Sequence, residues 1–328
     1  MTVGITPDGN WEGRTILRRV TGRADAAAEA RLAANREALL AARAARPRPG
    51  RDDKVLADWN GLAISALCRA AAVFGEPAWL DLALAAFGFV TRQMGAADGR
   101  VAHAWRLGRV TAAGLLDDQA AMARAALALF EAIGRTDMLE HAVALAEAAI
   151  ARFAAGDGGF YTTADDATDV PLGPEARPRS VMDQATPAGN GLMAQVFARL
   201  HHLTGAPAWR HRAEGVLAAF GGMGEHLSAA PGLLAAADLL EEGTVVVIAG
   251  PAGDALMGAL WATALASPDP AVCVLRACGD DLPMEHPAHG KTGNQAAAYV
   301  CRAGICGRPT HDPAALDLAL RTRQTPTA

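Results

Sequence analysis

The chain has 328 residues, of which 51% are hydrophobic and 20% charged, with a formal net charge of −5 and a pI near 6.0. That is ample for a core in one large domain or two modest ones. It gives no concentrated basic face of the kind nucleic acid requires, and the alanine-rich runs carry Arg, Glu and Asp at helical spacing, which excludes them as membrane spans.

The N-terminal stretch "MTVGITPDGN" has neither a basic nor an apolar leader region. Five cysteines, an odd number, then predict a reducing, cytoplasmic setting with free thiols. "ADAAAEARLAANREALLAARAA" (24–45) reads as one helix, and "RAARPRPGR" (43–51) as its end and a Pro-rich exit. Next comes "DDKVLADWNGL" (52–62), dense in polar groups at the mouth of an alanine-rich helix. Asp58 is expected to cap that helix. Asp53, Lys54, Trp59 and Asn60 are left as candidate site residues, with Trp59 as a stacking face and Asn60 as a two-way hydrogen-bonding group.

Three segments repeat one pattern, at 60–94, 117–153 and 188–223: a helix, a Gly-containing turn ("FGEPAW", "IGRTDM", "TGAPAW") and a second helix. The turn glycines Gly75, Gly134 and Gly205 follow at intervals of 59 and 71 residues. Gly suits the helix C-cap and Pro the next first turn. An α-hairpin repeat must stack on its neighbours to bury its apolar faces. The connectors are long and rich in Gly, Asp, Arg, Trp and Tyr, and "VAHAWRLGRV" and "GGFYTTADD" are each expected to form a small β-hairpin. These loops gather on one rim, with function expected there.

After the repeats, "GTVVVIAG" and "AVCVLRA" read as buried strands around the helix "DALMGALWATALA". "AAAYVCRAGICGRPTHDPAALDLALRT" reads as a strand or loop and then a helix starting near Asp312–Pro313. The expected fold class is mainly α, an incomplete (α/α)6 toroid with a small α/β C-terminal element. Its expected domains are 1–240 for the hairpin portion and 241–328 for the α/β element.

Candidate chemistry collects on the rim. Asp53 and Asp118, on separate hairpins, would suit general acid and base work on a glycosidic bond. His103, flanked by Trp105 and Arg106, is the candidate proton mover. Asp117, Tyr161, Asp183, Thr186 and Asn190 complete the candidate binding set. For each the structural alternative is a cap, a packing contact or a loop position: one of Asp117 and Asp118 caps its helix, and Thr186-Pro187 is itself a natural helix start. His141, His201, His202, His211 and His226 read as surface or packing residues. Cys301 and Cys306 match neither a Cys-x-x-Cys redox motif nor zinc spacing, and Cys68, Cys273 and Cys278 read as buried. "GPAGDA" lacks the full nucleotide fingerprints, so neither a cofactor nor a metal is expected.

Taken in order, "GNWEG", "DDKVLADWNGL", "HAWRLGRVTAAGLLDDQA", "GGFYTTADD", "DQATPAGN" and "AAAYVCRAGIC" resemble the signatures of the YyaL-like, thioredoxin-domain-containing proteins, whose animal relatives are called spermatogenesis-associated. The resemblance covers nearly the whole chain. It implies an (α/α)6 toroid like those of six-hairpin glycosidases and N-acylglucosamine 2-epimerases, which normally follows a thioredoxin-like domain. That domain is expected to be absent here, and Gln119 stands where the family usually has Tyr. The implied function is sugar hydrolysis, epimerisation or binding by rim Asp and His groups. The alternative is a non-catalytic ligand- or client-binding module, or a remnant, without thiol–disulfide activity. A sugar-like ligand is the expected partner, with neither nucleic acid nor membrane, and exposed hairpin faces leave room for self-association.

Overall fold

The computed structural model describes residues 4–168, 176–251, 253–277, 284, 286–291 and 295–323. It divides into two compact units, Met1–Asp53 and Lys54–Ala328.

The first unit carries one helix, α1 (Ala26–Ala44), opened by Asp25, whose side chain accepts from the Ala28 N–H. None of its residues is buried, and Leu39 and Leu40 are exposed.

The second unit is built of helical hairpins: α2 (Ala57–Phe74) with α3 (Pro77–Met94), α4 (Leu116–Ile133) with α5 (Thr136–Phe153), and α6 (Gly189–Thr204) with α7 (Pro207–Ala219). Each first helix ends on a left-handed glycine, at φ 68° for Gly75, 69° for Gly134 and 71° for Gly205, and Pro77 and Pro207 sit in the first turns that follow. A β-carbon at these glycines would be strained, which is why the turn stays short. A further helix, α8 (Pro231–Glu242), was not apparent in the sequence; it follows a 3-10 segment at Gly221–Ala229 and packs on α6.

The first helices form an inner layer in the order α2, α4, α6, α8. Small residues let them approach: a β-carbon on Gly61 would lie 2.6 Å from the Ala121 backbone. Helix α4 is buried nearly all round, with Ala120, Met122, Leu127 and Leu129 fully covered. The outer helices bury one stripe each, such as Ala83, Phe87, Val90 and Met94 on α3, as expected for the second layer of an α/α array. The mainly α class and the partial-toroid architecture expected from the sequence are therefore observed.

Two sheets complete the unit. The smaller is antiparallel, in the order β1 (Val55–Leu56), β2 (Ala104–Arg106), β3 (Arg109–Ala112). It brings the start of α2 against the connector after α3. "VAHAWRLGRV" thus forms the expected hairpin, whereas "GGFYTTADD" makes only single bridges, Ala154 with Phe160 and Leu115 with Thr163. The larger sheet has the order β5-β4-β6-β7, with β4 (Thr244–Ala249), β5 (Val272–Arg276), β6 (Ala297–Arg302) and β7 (Ile305–Cys306). β4 and β5 run parallel around α9 (Ala255–Leu265); β6 returns antiparallel, and α10 (Pro313–Arg321) follows, capped by Asp312.

The thiols need one correction. Cys301 and Cys306 are joined in a disulfide, while Cys68 and Cys273 are free and buried; Cys278 lies outside the described residues. Ala303 and Gly304 both have positive φ, 48° and 77°, and form a two-residue turn that sets Cys301 opposite Cys306. The spacing of five is a hairpin spacing, which redox and zinc templates do not include.

Candidate functional site

The rim is organised by carboxylates that bind helix N-termini. Asp118, in the first turn of α4, is fully buried. Its Oδ2 accepts from the Leu115 N–H at 2.8 Å, closing the start of its own helix, and its Oδ1 accepts from the Asp58 N–H at 3.0 Å, closing the start of α2. Asp117 reaches the other way and accepts from the Gly189 N–H at 3.0 Å, at the start of α6. Asp183 continues the series, accepting from Ala188 N–H at 2.7 Å and Gly232 N–H at 2.6 Å, which ties α6 to α8. Each carboxylate satisfies orphan N–H groups and sits at the positive end of a helix dipole. The caps of α2, α4, α6 and α8 are thus largely supplied by neighbouring turns.

This corrects several expectations. Asp58 is not the N-cap of α2; Leu56 is, and Asp58 lies within the first turn, its own Oδ1 accepting from Trp59 N–H at 2.8 Å. Asp118 does the capping work assigned to Asp58, and its oxygens are occupied by protein donors. Helix α6 begins at Gly189 after Ala188, past Thr186-Pro187.

His103 stands beside the shared cap. Its Nδ1 lies 3.0 and 3.1 Å from the two oxygens of Asp118, and its carbonyl accepts from the Ala57 N–H at 3.0 Å. The ring is held at its Nδ1 edge, and 27% of the side chain stays exposed. One oxygen each of Asp58 and Asp118 and one ring nitrogen of His103 lie within 4.8 Å of one another. The hydrogen bond that the Asp118 carboxylate accepts from Nδ1 holds the His103 imidazole above its ordinary value. Burial, with the nearby Asp118 charge, pushes the Asp58 carboxyl up. Burial does the same for Asp117. A half-buried acid and an imidazole thus lie within 4.8 Å of one another, both drawn toward holding a proton. The same three residues have the spacing of a metal site. A cation there would have to take oxygens from two backbone N–H groups and from His103, so the donor set fits a cap and an imidazole better than an ion.

Buried amides hold the site in place. The Gln119 side chain accepts from the Val101 N–H at 2.9 Å and donates to the Val101 carbonyl at 2.8 Å, fixing the strand two residues before His103. Asn190 repeats this on Phe160, accepting at 2.9 Å and donating at 3.0 Å. Asn60, Gln119 and Asn190 each stand fifteen residues before their C-cap glycine. Asn60 donates to the Leu56 carbonyl of its own helix start at 2.8 Å. Gln119 was noticed in the sequence only as a departure from a motif; its place in the repeat is the signal for its role.

The remaining candidates divide. Trp59 is 61% exposed on the first turn of α2, next to Asp58. Trp105 turns away and packs edge-on to Phe89 at 5.1 Å, so it belongs to the packing beneath the site. Arg106 is exposed on β2, and Lys54 is exposed at the start of the second unit. The Tyr161 ring is covered by Arg177 at 4.3 Å and is no open aromatic wall. Asn190 is fully buried, and Thr186 lies half-buried in the loop before α6. Asp53 ends the first unit and is described with it.

The fold and the rim define a class: an array of α/α hairpins in which one aspartate closes two inner helices and holds a histidine. Among curated proteins, the chain is 28% identical to human spermatogenesis-associated protein 20 over 298 residues, covering 85% of this chain and 38% of that protein. It is 33% identical to the Rattus norvegicus protein of the same name over 195 residues, 56% of this chain and 24% of that one. An uncharacterised Caenorhabditis elegans protein matches at 26% over 84% of this chain and 38% of its own. The chain therefore spans well under half the length of these relatives. The resemblance to the spermatogenesis-associated, thioredoxin-domain proteins holds over most of the chain. No family model matches the sequence. Among solved structures, an alpha-mannanase of Bacteroides thetaiotaomicron matches with TM-score 0.42 at 14% identity, over 53% of this chain and 45% of that one. Cellobiose 2-epimerase of Bacillus thermoamylovorans matches with TM-score 0.45 at 12%, over 53% and 46%. Among the described residues no helix is long and apolar enough to cross a membrane.

Proposed function

We propose that the rim site moves a proton on a sugar-like polyol. The observation that carries this reading is the His103 ring, held by Asp118 at Nδ1 and set beside Asp58. Asp118 positions and charges the imidazole, as a carboxylate does wherever it fixes a histidine tautomer. The Nε2 edge then serves as acid or base, Asp58 is the second titratable group, and exposed Trp59 offers a stacking face. The pair suits epimerisation or hydrolysis.

The test is calorimetric titration of mono- and disaccharides, followed by incubation in deuterated water with mass analysis of the sugar. Saturable binding with deuterium uptake or cleavage that is lost in His103→Gln supports the proposal. A folded wild type that binds none of them, or a variant that acts like wild type, refutes it.

One observation favours a second reading, a binding module without turnover. Asp117, Asp118 and Asp183 are all committed to helix N-termini, and Asp58 spends one oxygen on the first-turn Trp59 N–H, which leaves few acid oxygens for a substrate. Binding with neither exchange nor cleavage would select it. A cytoplasmic setting also belongs to this proposal, and the Cys301–Cys306 bond bears on it. Alkylation of the chain trapped in intact cells reports whether those two thiols are free.

A further inference from the structure

A second polar cluster lies deeper in the hairpin array. From the rim acids Asp58 and Asp118, the inner helices run roughly 9–17 Å further, at about 1.5 Å per residue, before reaching Arg69 and Arg124. There, between α2, α4, α6 and strand β5, is a cavity of about 340 Å³ lined by Arg69, Arg124, Arg199, Glu131, Ser65 and Cys68. Its residues are separate from the rim site.

Three guanidinium groups and one carboxylate line it. Glu131 is committed: it accepts from Arg199 Nη1 at 2.8 and 2.9 Å and from the Val274 N–H at 2.9 Å. Arg199 is further fixed by the carbonyls of Val272 at 3.0 Å and Pro270 at 2.7 Å. Arg69 donates to the Ser267 carbonyl. Arg124 has no hydrogen bond or ion pair among the described residues, yet it is half-buried in the middle of α4. Burial and the charge of Arg199 pull its guanidinium below the ordinary value. It also borders a smaller cavity of about 70 Å³ beside Asp238, but that carboxylate is held by Arg323.

An unpaired guanidinium in a half-buried cavity is costly unless an anion meets it, and guanidinium forks match phosphate oxygens two at a time. We infer that this cavity binds a compact dianion of the phosphate-monoester class, with Arg124 as the principal contact and Arg69 and Arg199 flanking it. The volume exceeds a bare phosphate group and reaches the small end of ligand pockets, which leaves room for a short organic moiety.

The experiment is calorimetric titration of the whole chain at low salt, with inorganic phosphate and glycerol 3-phosphate as probes. Wild type is expected to bind both saturably, glycerol 3-phosphate more tightly. Arg124→Gln is expected to bind each at least about tenfold more weakly. Its melting temperature without probe should not fall, since the replaced group anchors nothing. Arg321→Gln, which alters an exposed helix pair far along the chain, should bind like wild type. Absence of saturable binding by wild type, unchanged binding in Arg124→Gln, or equal loss in Arg321→Gln would each overturn the inference. Sugar binding at the rim is read separately through His103→Gln, so the two proposals fail independently.

Discussion

Replacing Asp118 with Asn tests whether one carboxylate closes two helices and orients His103. The carboxylate offers Oδ1 to Asp58 N–H at 3.0 Å, Oδ2 to Leu115 N–H at 2.8 Å, and both to His103 Nδ1. Asparagine keeps one oxygen and turns an NH2 group toward a second donor. One half-buried N–H is then stranded, at about 1–3 kcal/mol, and the bonds that survive lose their charge assistance, each worth about 1.5–3 kcal/mol while charged. Partial relaxation reduces the sum, and the expected loss is about 3 kcal/mol. At about 2–4 °C per kcal/mol for a domain of this size, the melting midpoint should fall by roughly 6–12 °C. Urea unfolding followed by circular dichroism measures the loss, and NMR titration of His103 shows whether its raised pKa falls. A variant within about 0.5 kcal/mol of wild type, the usual scatter of neutral surface changes, would refute the shared-cap account.

Other outcomes follow from the same geometry. Because Asp118 holds His103 above the ordinary 6.5, the folded state binds that proton more tightly than the unfolded chain. The stabilisation is therefore complete below the ordinary value and lost as pH rises through the folded value, and the gap between wild type and Asp118→Asn should be wider at about pH 5.5 than at about pH 9 in matched urea titrations. Asp117→Asn should change stability by less than about 1 kcal/mol, since that group accepts one bond and its charged form is already disfavoured by burial. Asn190→Ala should cost about 2–4 kcal/mol, because it strands the Phe160 N–H and the Phe160 and Ser180 carbonyls in the interior; thermal melts read this directly. Trp59→Ala should leave the melting midpoint unchanged, since the ring is exposed, while weakening any sugar binding detected by calorimetry.

What the sequence made legible was whatever depends on a short window. Helical period, the glycine at the end of each inner helix and the apolar β4 and β5 strands are local signals, and the corresponding elements are present. The disulfide was within reach too, since the Ala303-Gly304 turn fixes the pairing of its flanks. The site was legible as a set of rim residues but not as a division of labour. Whether an aspartate caps its own helix or the next depends on how closely two N-termini approach, and small inner-helix residues such as Gly61 and Ala121 govern that separation. Local reading makes Asp58 the cap of α2 and leaves open which of Asp117 and Asp118 caps α4; in the structure Asp118 serves the starts of both helices, and Asp58, with one oxygen on the Trp59 N–H, stands beside the imidazole. Aligning the three hairpins by their C-cap glycines recovers part of this. Positions Asn60, Gln119 and Asn190 then coincide, all amides, in a slot where the latter two clamp the preceding connector strand. An amide that keeps its place in a repeat while its neighbours change signals a backbone clamp, because only a group that both donates and accepts can pair with a strand residue's N–H and carbonyl together. That clamp on Val101 sets the path of the segment carrying His103 into β2, and so the repeat positions the imidazole.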